Sequence, residues 1–169
     1  MDKFWGTFFL PIFLIGLYLL LYFVPKMDPK SKNIDKFKES YDNFLNVFFS
    51  FMVIIYLFTI AWNLGYQMNI NILVPIVIAG LFYSIGTLIS EAKPNYFIGI
   101  RTPWTLASDE VWNKTHHIGG KLYKLAALIT LLGLFFGDLA LIFMIVSIFG
   151  VSIYLVIFSY LEFKNEQKR

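Results

Sequence analysis

The chain has 169 residues, 58% of them hydrophobic and only 15% charged, with a mean hydropathy of +0.67. Soluble domains are about 45–50% apolar and about 25% charged, so a water-soluble core is excluded and lipid must cover the surplus. The net charge of +3 is spread over separate segments, a pattern of membrane topology rather than nucleic-acid binding, and the absence of cysteine excludes disulfides, thiolate nucleophiles and cysteine-ligated metal centres.

Crossing the hydrocarbon of a bilayer takes roughly 20 apolar residues. Phe4 to Val24 supplies one such run, longer than a signal-peptide core and with no small-residue cleavage site behind it, and reads as a retained first span. Pro25 to Asp42, rich in lysine, reads as a charged linker or surface helix. Asn43 to Ser90 carries no charge over 48 residues, too long for one helix and right for two, with a turn expected at Gly65 to Asn71. Asn46, Ser50, Thr59 and Asn63 place polar groups inside the second span, where hydrogen bonds between helices are the expected use. Past Lys124, two uncharged runs separated by Gly137-Asp138 read as a tight helical hairpin, the first beginning near Gly119 with Lys121 and Lys124 snorkelling to the headgroups.

The expected fold class is therefore an all-α integral membrane protein, a bundle of about five transmembrane helices in one domain. The spans fall near 4–24, 44–65, 71–90, 120–137 and 139–161, with a structured loop at 91–121. Five spans put the lysine-rich segment 25–42, the cations of 91–124 and the basic tail Lys164, Lys168 and Arg169 on one side. The positive-inside rule makes that side cytoplasmic and places the N-terminus outside a cell membrane.

The loop mixes charge with apolar residues as a plain connector does not. Pro94 and Asn95 punctuate the exit from the third span, and Tyr96 to Ile100 is an apolar run too short to cross the membrane. Thr102-Pro103 resembles an N-cap followed by a first-turn proline. Ser108-Asp109-Glu110 is a stronger helix start, with a capping hydroxyl and two carboxylates at the positive end of the dipole. The following helix is expected to run through His117 and on into the fourth span. Glu110, Lys114, His117, Lys121 and Lys124 share one face, with Glu110 and Lys114 in the favourable i, i+4 order, while Trp112, His116, Gly119 and Tyr123 share another.

The string Gly99-Ile100-Arg101-Thr102-Pro103-Trp104-Thr105-Leu106, followed by Asp109-Glu110-Val111-Trp112-Asn113-Lys114-Thr115-His116 and Gly119-Gly120, resembles the hallmark of the SdpI family of bacterial membrane proteins. With flanking helices the resemblance covers about residues 70–161. It implies a non-enzymatic immunity protein that protects against a secreted membrane-active toxin and holds a soluble transcriptional regulator at the membrane. Beside the lipid bilayer, the implied partners are a peptide toxin and a cytoplasmic regulator, without direct nucleic-acid contact.

The candidate binding residues are Arg101, Thr102, Pro103, Trp104, Asp109, Glu110, Trp112, Lys114 and His116. No catalytic residue, cofactor or metal site is expected. His116 and His117 are adjacent and point about 100° apart on a helix, whereas helical zinc sites use i, i+4 pairs. Arg101, among apolar neighbours, needs an anionic or carbonyl partner, with Glu91, Asp109 and Glu110 as the candidate carboxylates. Trp104 and Trp112, like Trp5 and Trp62, read first as interfacial belt residues. Gly133-Xaa-Xaa-Xaa-Gly137 and Gly80-Xaa-Xaa-Xaa-Ser84 would allow close helix approach within the bundle or in a homo-oligomer. The alternative class is a membrane enzyme or small-molecule permease with a polar site in the cap, which a deep polar cavity there would favour.

Overall fold

In a computed structural model describing residues 3–66 and 69–168, the chain folds into five long helices joined by short turns and one elaborate cap. Helix α1 (Lys3–Met27) leads through a single-turn α2 (Ser31–Ile34) and a 3-10 turn (Asp35–Phe37) into α3 (Lys38–Asn63). Helix α4 (Ile70–Glu91) follows, then the loop and the short α5 (Pro103–Ala107). Helix α6 (Asp109–Gly133) and, past a 3-10 turn (Leu134–Leu139), α7 (Ala140–Glu166) complete the chain. Gln67 and Met68 of the expected turn, and Arg169 of the basic tail, lie outside the described residues.

Four runs are long and apolar enough to cross a bilayer, Phe4–Met27, Ser31–Asn63, Ile70–Glu91 and Asp109–Glu166, the last taking in both α6 and α7, and many of their large side chains face outward: Phe8, Phe13, Leu19, Leu57, Leu128, Phe149 and Ile153 are all exposed. The chain is a multi-pass membrane bundle. Its tightest seam lies between α4 and α6, with α7 packed on α6 and also touching α4, α3 on α4, and α1 outermost. Glycine makes that seam. A Cβ at Gly86 would stand 2.8 Å from the Gly120 carbonyl oxygen, and one at Gly120 would stand 2.5 Å from the Ser90 Cβ. Ala79, Phe82, Ala126 and Ala127 continue the contact deeper in the bundle.

At one end of the bundle Asn69 caps α4, its side chain accepting from the Asn71 N–H at 2.9 Å. The Asn71 amide in turn donates to Asp138 at 3.1 Å, so the two short turns meet. Gly137 adopts φ +59 in the second of them. The Gly133/Gly137 pair is thus not a helix-packing stripe: Gly137 is the turn itself, and Gly133 alone makes room, for Phe143 of α7. Gly80 has no neighbour within 4 Å of a built Cβ.

A further expectation is corrected. Thr59 donates to the Ile55 carbonyl and Asn63 to the Thr59 carbonyl, so these polar groups satisfy their own helix rather than bridge to another. Of the two readings of the lysine-rich segment, a charged linker or a surface helix, the structure has the helical one from Ser31 on, but one side of it is buried. Its Ile34 and Phe37 are almost fully buried against Ala92, Ile98 and Trp112, and with Tyr41, Leu45 and Leu88 they form the apolar core of the cap.

Candidate functional site

The cap is built from the 28–40 segment, the 91–108 loop, the first turns of α6 and the end of α7. At its centre is Trp112, fully buried, with its indole N–H donating to the Ala92 carbonyl at 2.9 Å where α4 ends. It is an anchor of the core, not a belt residue. The His116 ring stacks on it at a centroid distance of 3.9 Å and an interplanar angle of 12°.

Both imidazole nitrogens are engaged. The Trp112 carbonyl lies 2.8 Å from Nδ1, and the Ile100 N–H donates to Nε2 at 3.0 Å. Because Nε2 accepts, Nδ1 must carry the proton and donate, which fixes the neutral tautomer. Burial pushes the His116 pKa down to about 4, partly offset by the bond to the Trp112 carbonyl, so the ring is neutral at physiological pH. Neither nitrogen has a lone pair left for a metal. Among the described residues, no group of three or more His, Asp or Glu side chains could hold one.

The loop reaches His116 because of Gly99. Its φ is +122, and a Cβ there would stand 2.5 Å from Nε2 and 3.2 Å from the Trp112 ring. Just before it, Asn95 is buried and serves as the hub of a turn. Its amide donates to the Lys93 and Ile98 carbonyls, both at 2.8 Å, while its oxygen accepts from the Phe97 and Ile98 N–H groups. Three side chains tie this loop to the early chain. Buried Asp28 accepts from the Tyr96 N–H at 2.8 Å, Asn33 donates to the Pro94 carbonyl at 2.8 Å, and the Ser40 hydroxyl donates to Glu91.

Beyond the loop the helix starts are made locally. Thr102 caps α5 in a reciprocal capping box with Thr105, with Pro103 in the first turn. Thr102 also lies 3.0 Å from Ser159, and the Thr105 hydroxyl donates to the Ile100 carbonyl at 2.8 Å. Ser108 caps α6 through the Val111 N–H and donates to Glu166 at 2.8 Å. Helix α6 then runs unbroken past Gly119-Gly120 into the bundle. Lys114 sits 2.9 Å from both Glu110 and Glu162, and these bonds raise its pKa. Trp104, half-buried, packs on Tyr160 with ring centroids 5.1 Å apart. The loop, α6 and α7 are thereby tied into one body.

Arg101 is exposed, and its Nη1 donates to the Tyr96 carbonyl at 2.6 Å. Of the expected carboxylates, Glu91 is engaged by Ser40 and Glu110 by Lys114, and the arginine bonds to none of the three. The arginine therefore braces the turn through backbone and keeps donors turned outward. The nine candidate residues divide by position. Thr102, Trp112 and His116 are buried and hold the cap, Trp104 and Lys114 are half-buried, and Arg101, Pro103, Asp109 and Glu110 are exposed. Asp28, Asn33, Ser40, Asn95, Ser159, Glu162 and Glu166 were not foreseen, because each acts on a partner that sequence spacing does not reveal. The exception is Asn95, whose place after a proline at a helix exit is a turn signal. Ala107 to Glu110 with Phe163, Glu166 and Gln167 line a shallow, open depression of about 530 Å³ beside the cap.

Residues 91–160, the segment holding this loop and the two helices behind it, match the model of the SdpI/YfhL protein family. Over 158 residues the chain is also 29% identical to Immunity protein SdpI of Bacillus subtilis (strain 168), covering 92% of this chain and 76% of the relative. No solved structure matches. The family segment starts at Glu91, the last residue of α4, and ends at Tyr160, so it takes in the cap loop, α5, α6 and most of α7.

Proposed function

We propose that this chain is a membrane immunity protein that protects its cell against a secreted membrane-active peptide, with the cap as the surface that a soluble regulator meets. The observation that carries this reading is the similarity to Immunity protein SdpI along nearly the whole chain, combined with a family segment that takes in the cap loop. The cap lies in the cytoplasm and the N-terminus outside, because Lys26, Lys30, Lys32, Lys36, Lys38, Lys93, Arg101 and Lys114 gather at the cap end of the bundle. Arg101, Pro103, Asp109 and Glu110 are the residues that a partner touches. Trp112, His116 and Thr102 position them from below. The open depression beside the cap suits a protein surface better than a small substrate, which an enclosed pocket would bury.

The test is protection itself. Cells making this chain should keep their membrane potential when mixed with a strain secreting a membrane-active killing peptide, at peptide levels that depolarise cells lacking it. Arg101→Ala should lose protection while inserting at the same level, since the five helices do not depend on an exposed side chain. Full protection by Arg101→Ala at equal protein level would remove the cap from the mechanism. Sidedness is checked separately: a cysteine replacing Asp138 should be labelled from outside intact cells and one replacing Lys36 should not.

A further inference from the structure

The turn between α4 and α5 has features that protection from a peptide does not call for. Tyr96 and Phe97 are 49% and 40% exposed, yet the backbone carrying them is held by buried side chains. Asn95 ties it from within through four hydrogen bonds, and the buried Asp28 carboxylate holds the Tyr96 N–H with one oxygen and the Lys30 N–H, at 2.6 Å, with the other. Two exposed aromatic rings on a rigid turn carry an apolar area that neither the cap core nor the bundle takes up. Directly after a transmembrane helix, such rings sit at headgroup level.

Two cations flank the same tyrosine. The Lys30 ammonium lies 5.5 Å from the Tyr96 ring centroid, and the Arg101 guanidinium is fixed across the turn by its bond to the Tyr96 carbonyl. That bond uses one of five guanidinium donors and sets the orientation of the fork. The Asp28 carboxylate beneath the turn is buried and occupied by two backbone N–H groups, so it does not compete with an incoming phosphate for these cations. Lys30 and Tyr96 follow shortly after α1 and α4 end, which puts both at the same leaflet surface.

We infer that Lys30, Tyr96, Phe97 and Arg101 form a headgroup site for an anionic phospholipid. The phosphate is held between the ammonium and the guanidinium, and the two rings lie against the glycerol and upper acyl region. The site fastens the cap to the leaflet, and the chemistry recognised is a phosphodiester attached to an apolar chain rather than a free phosphate. It shares Arg101 with the immunity reading but is tested apart from it, by lipid binding to the purified protein.

The experiment is native mass spectrometry of the full chain in detergent with an equimolar mixture of phosphatidylglycerol and phosphatidylcholine. The wild type should retain phosphatidylglycerol preferentially. Lys30→Gln and Arg101→Gln should each lower its retention about fivefold, the weight of one cation near an anionic surface, and the double variant should abolish the preference. Tyr96→Ala should weaken both lipids alike. Lys36→Gln, which removes an exposed cation hydrogen-bonded to Asn33 outside the site, should change nothing and controls for net charge. Inorganic phosphate at lipid concentration should not displace the lipid. Equal retention by the double variant and wild type, with the helical content of both unchanged, would overturn the site. Loss of retention in Lys36→Gln would reduce it to non-specific charge, and displacement by inorganic phosphate would make it a free-anion site.

Discussion

Replacing Gly99 with alanine tests the cap at the point where its loop, its histidine and its tryptophan meet. The backbone there has φ +122, outside the regions open to L side chains, which by itself costs on the order of 1–3 kcal/mol. The added methyl would lie 2.5 Å from His116 Nε2 and 3.2 Å from the Trp112 ring, and neither neighbour is free to move. Trp112 is fully buried and bonded to Ala92, and His116 is held at both nitrogens. Overpacking of this kind costs roughly another 1–3 kcal/mol, and pushing the ring away also leaves the Ile100 N–H without its acceptor. Gly99→Ala should therefore destabilise the protein by about 3–5 kcal/mol, measured as reversible unfolding in mixed micelles. The steric share depends on the imidazole, so His116→Ala should relieve part of it: the double variant should be less destabilised than the two single changes combined, by about 1 kcal/mol or more. The backbone share should persist. Additive effects would show that Gly99 and His116 do not meet as described, and an unchanged stability in Gly99→Ala would refute the account of the loop.

Three other outcomes are expected. His116 is held neutral with its pKa lowered to about 4 from an unfolded value of 6.5; the unfolded chain thus takes up the proton first as pH falls, and stability should drop between pH 6.5 and about 4 by up to about 3 kcal/mol and then level off. His116→Gln should flatten that dependence in thermal unfolding scans, and an equally steep profile in the variant would assign it to other groups. Asn95→Ala should cost on the order of 3 kcal/mol, because it strands two carbonyls and two N–H groups inside the turn, and hydrogen exchange should show the Phe97 and Ile98 amides opening first; unchanged protection there would contradict the hub. Lys114→Met should leave stability nearly unchanged despite contacts to Glu110 and Glu162, since the side chains are 40%, 48% and 22% exposed, and a clear loss in chemical unfolding would mean that the α6–α7 link is not screened by solvent.

Much of this molecule is legible along the chain because the signals concerned act over a few residues. Apolar runs of bilayer length mark the long helices, and backbone satisfaction in lipid forces those runs to be helical. Thr102-Pro103 and Ser108-Asp109-Glu110 announce the starts of α5 and α6, since a cap bonds to an N–H three residues on. Glu110 and Lys114 meet because one helical turn brings i and i+4 together. The family motif is likewise a local string. By contrast, only the tertiary structure decided that the lysine-rich segment 28–40 is the underside of the cap, since Ile34 and Phe37 look in sequence like stray apolar residues among charges. It decided that Asp28 reaches Tyr96, that Asn33 reaches Pro94 and that Ser159 and Glu166 return from the far end of the chain to Thr102 and Ser108. It also turned Arg101 away from the acidic residues and onto the Tyr96 carbonyl. Such contacts join groups that no period or cap rule relates, and they exist only once α4, α6 and α7 have packed, because the glycine seam sets how close those helices come and hence which side chains face each other above the membrane.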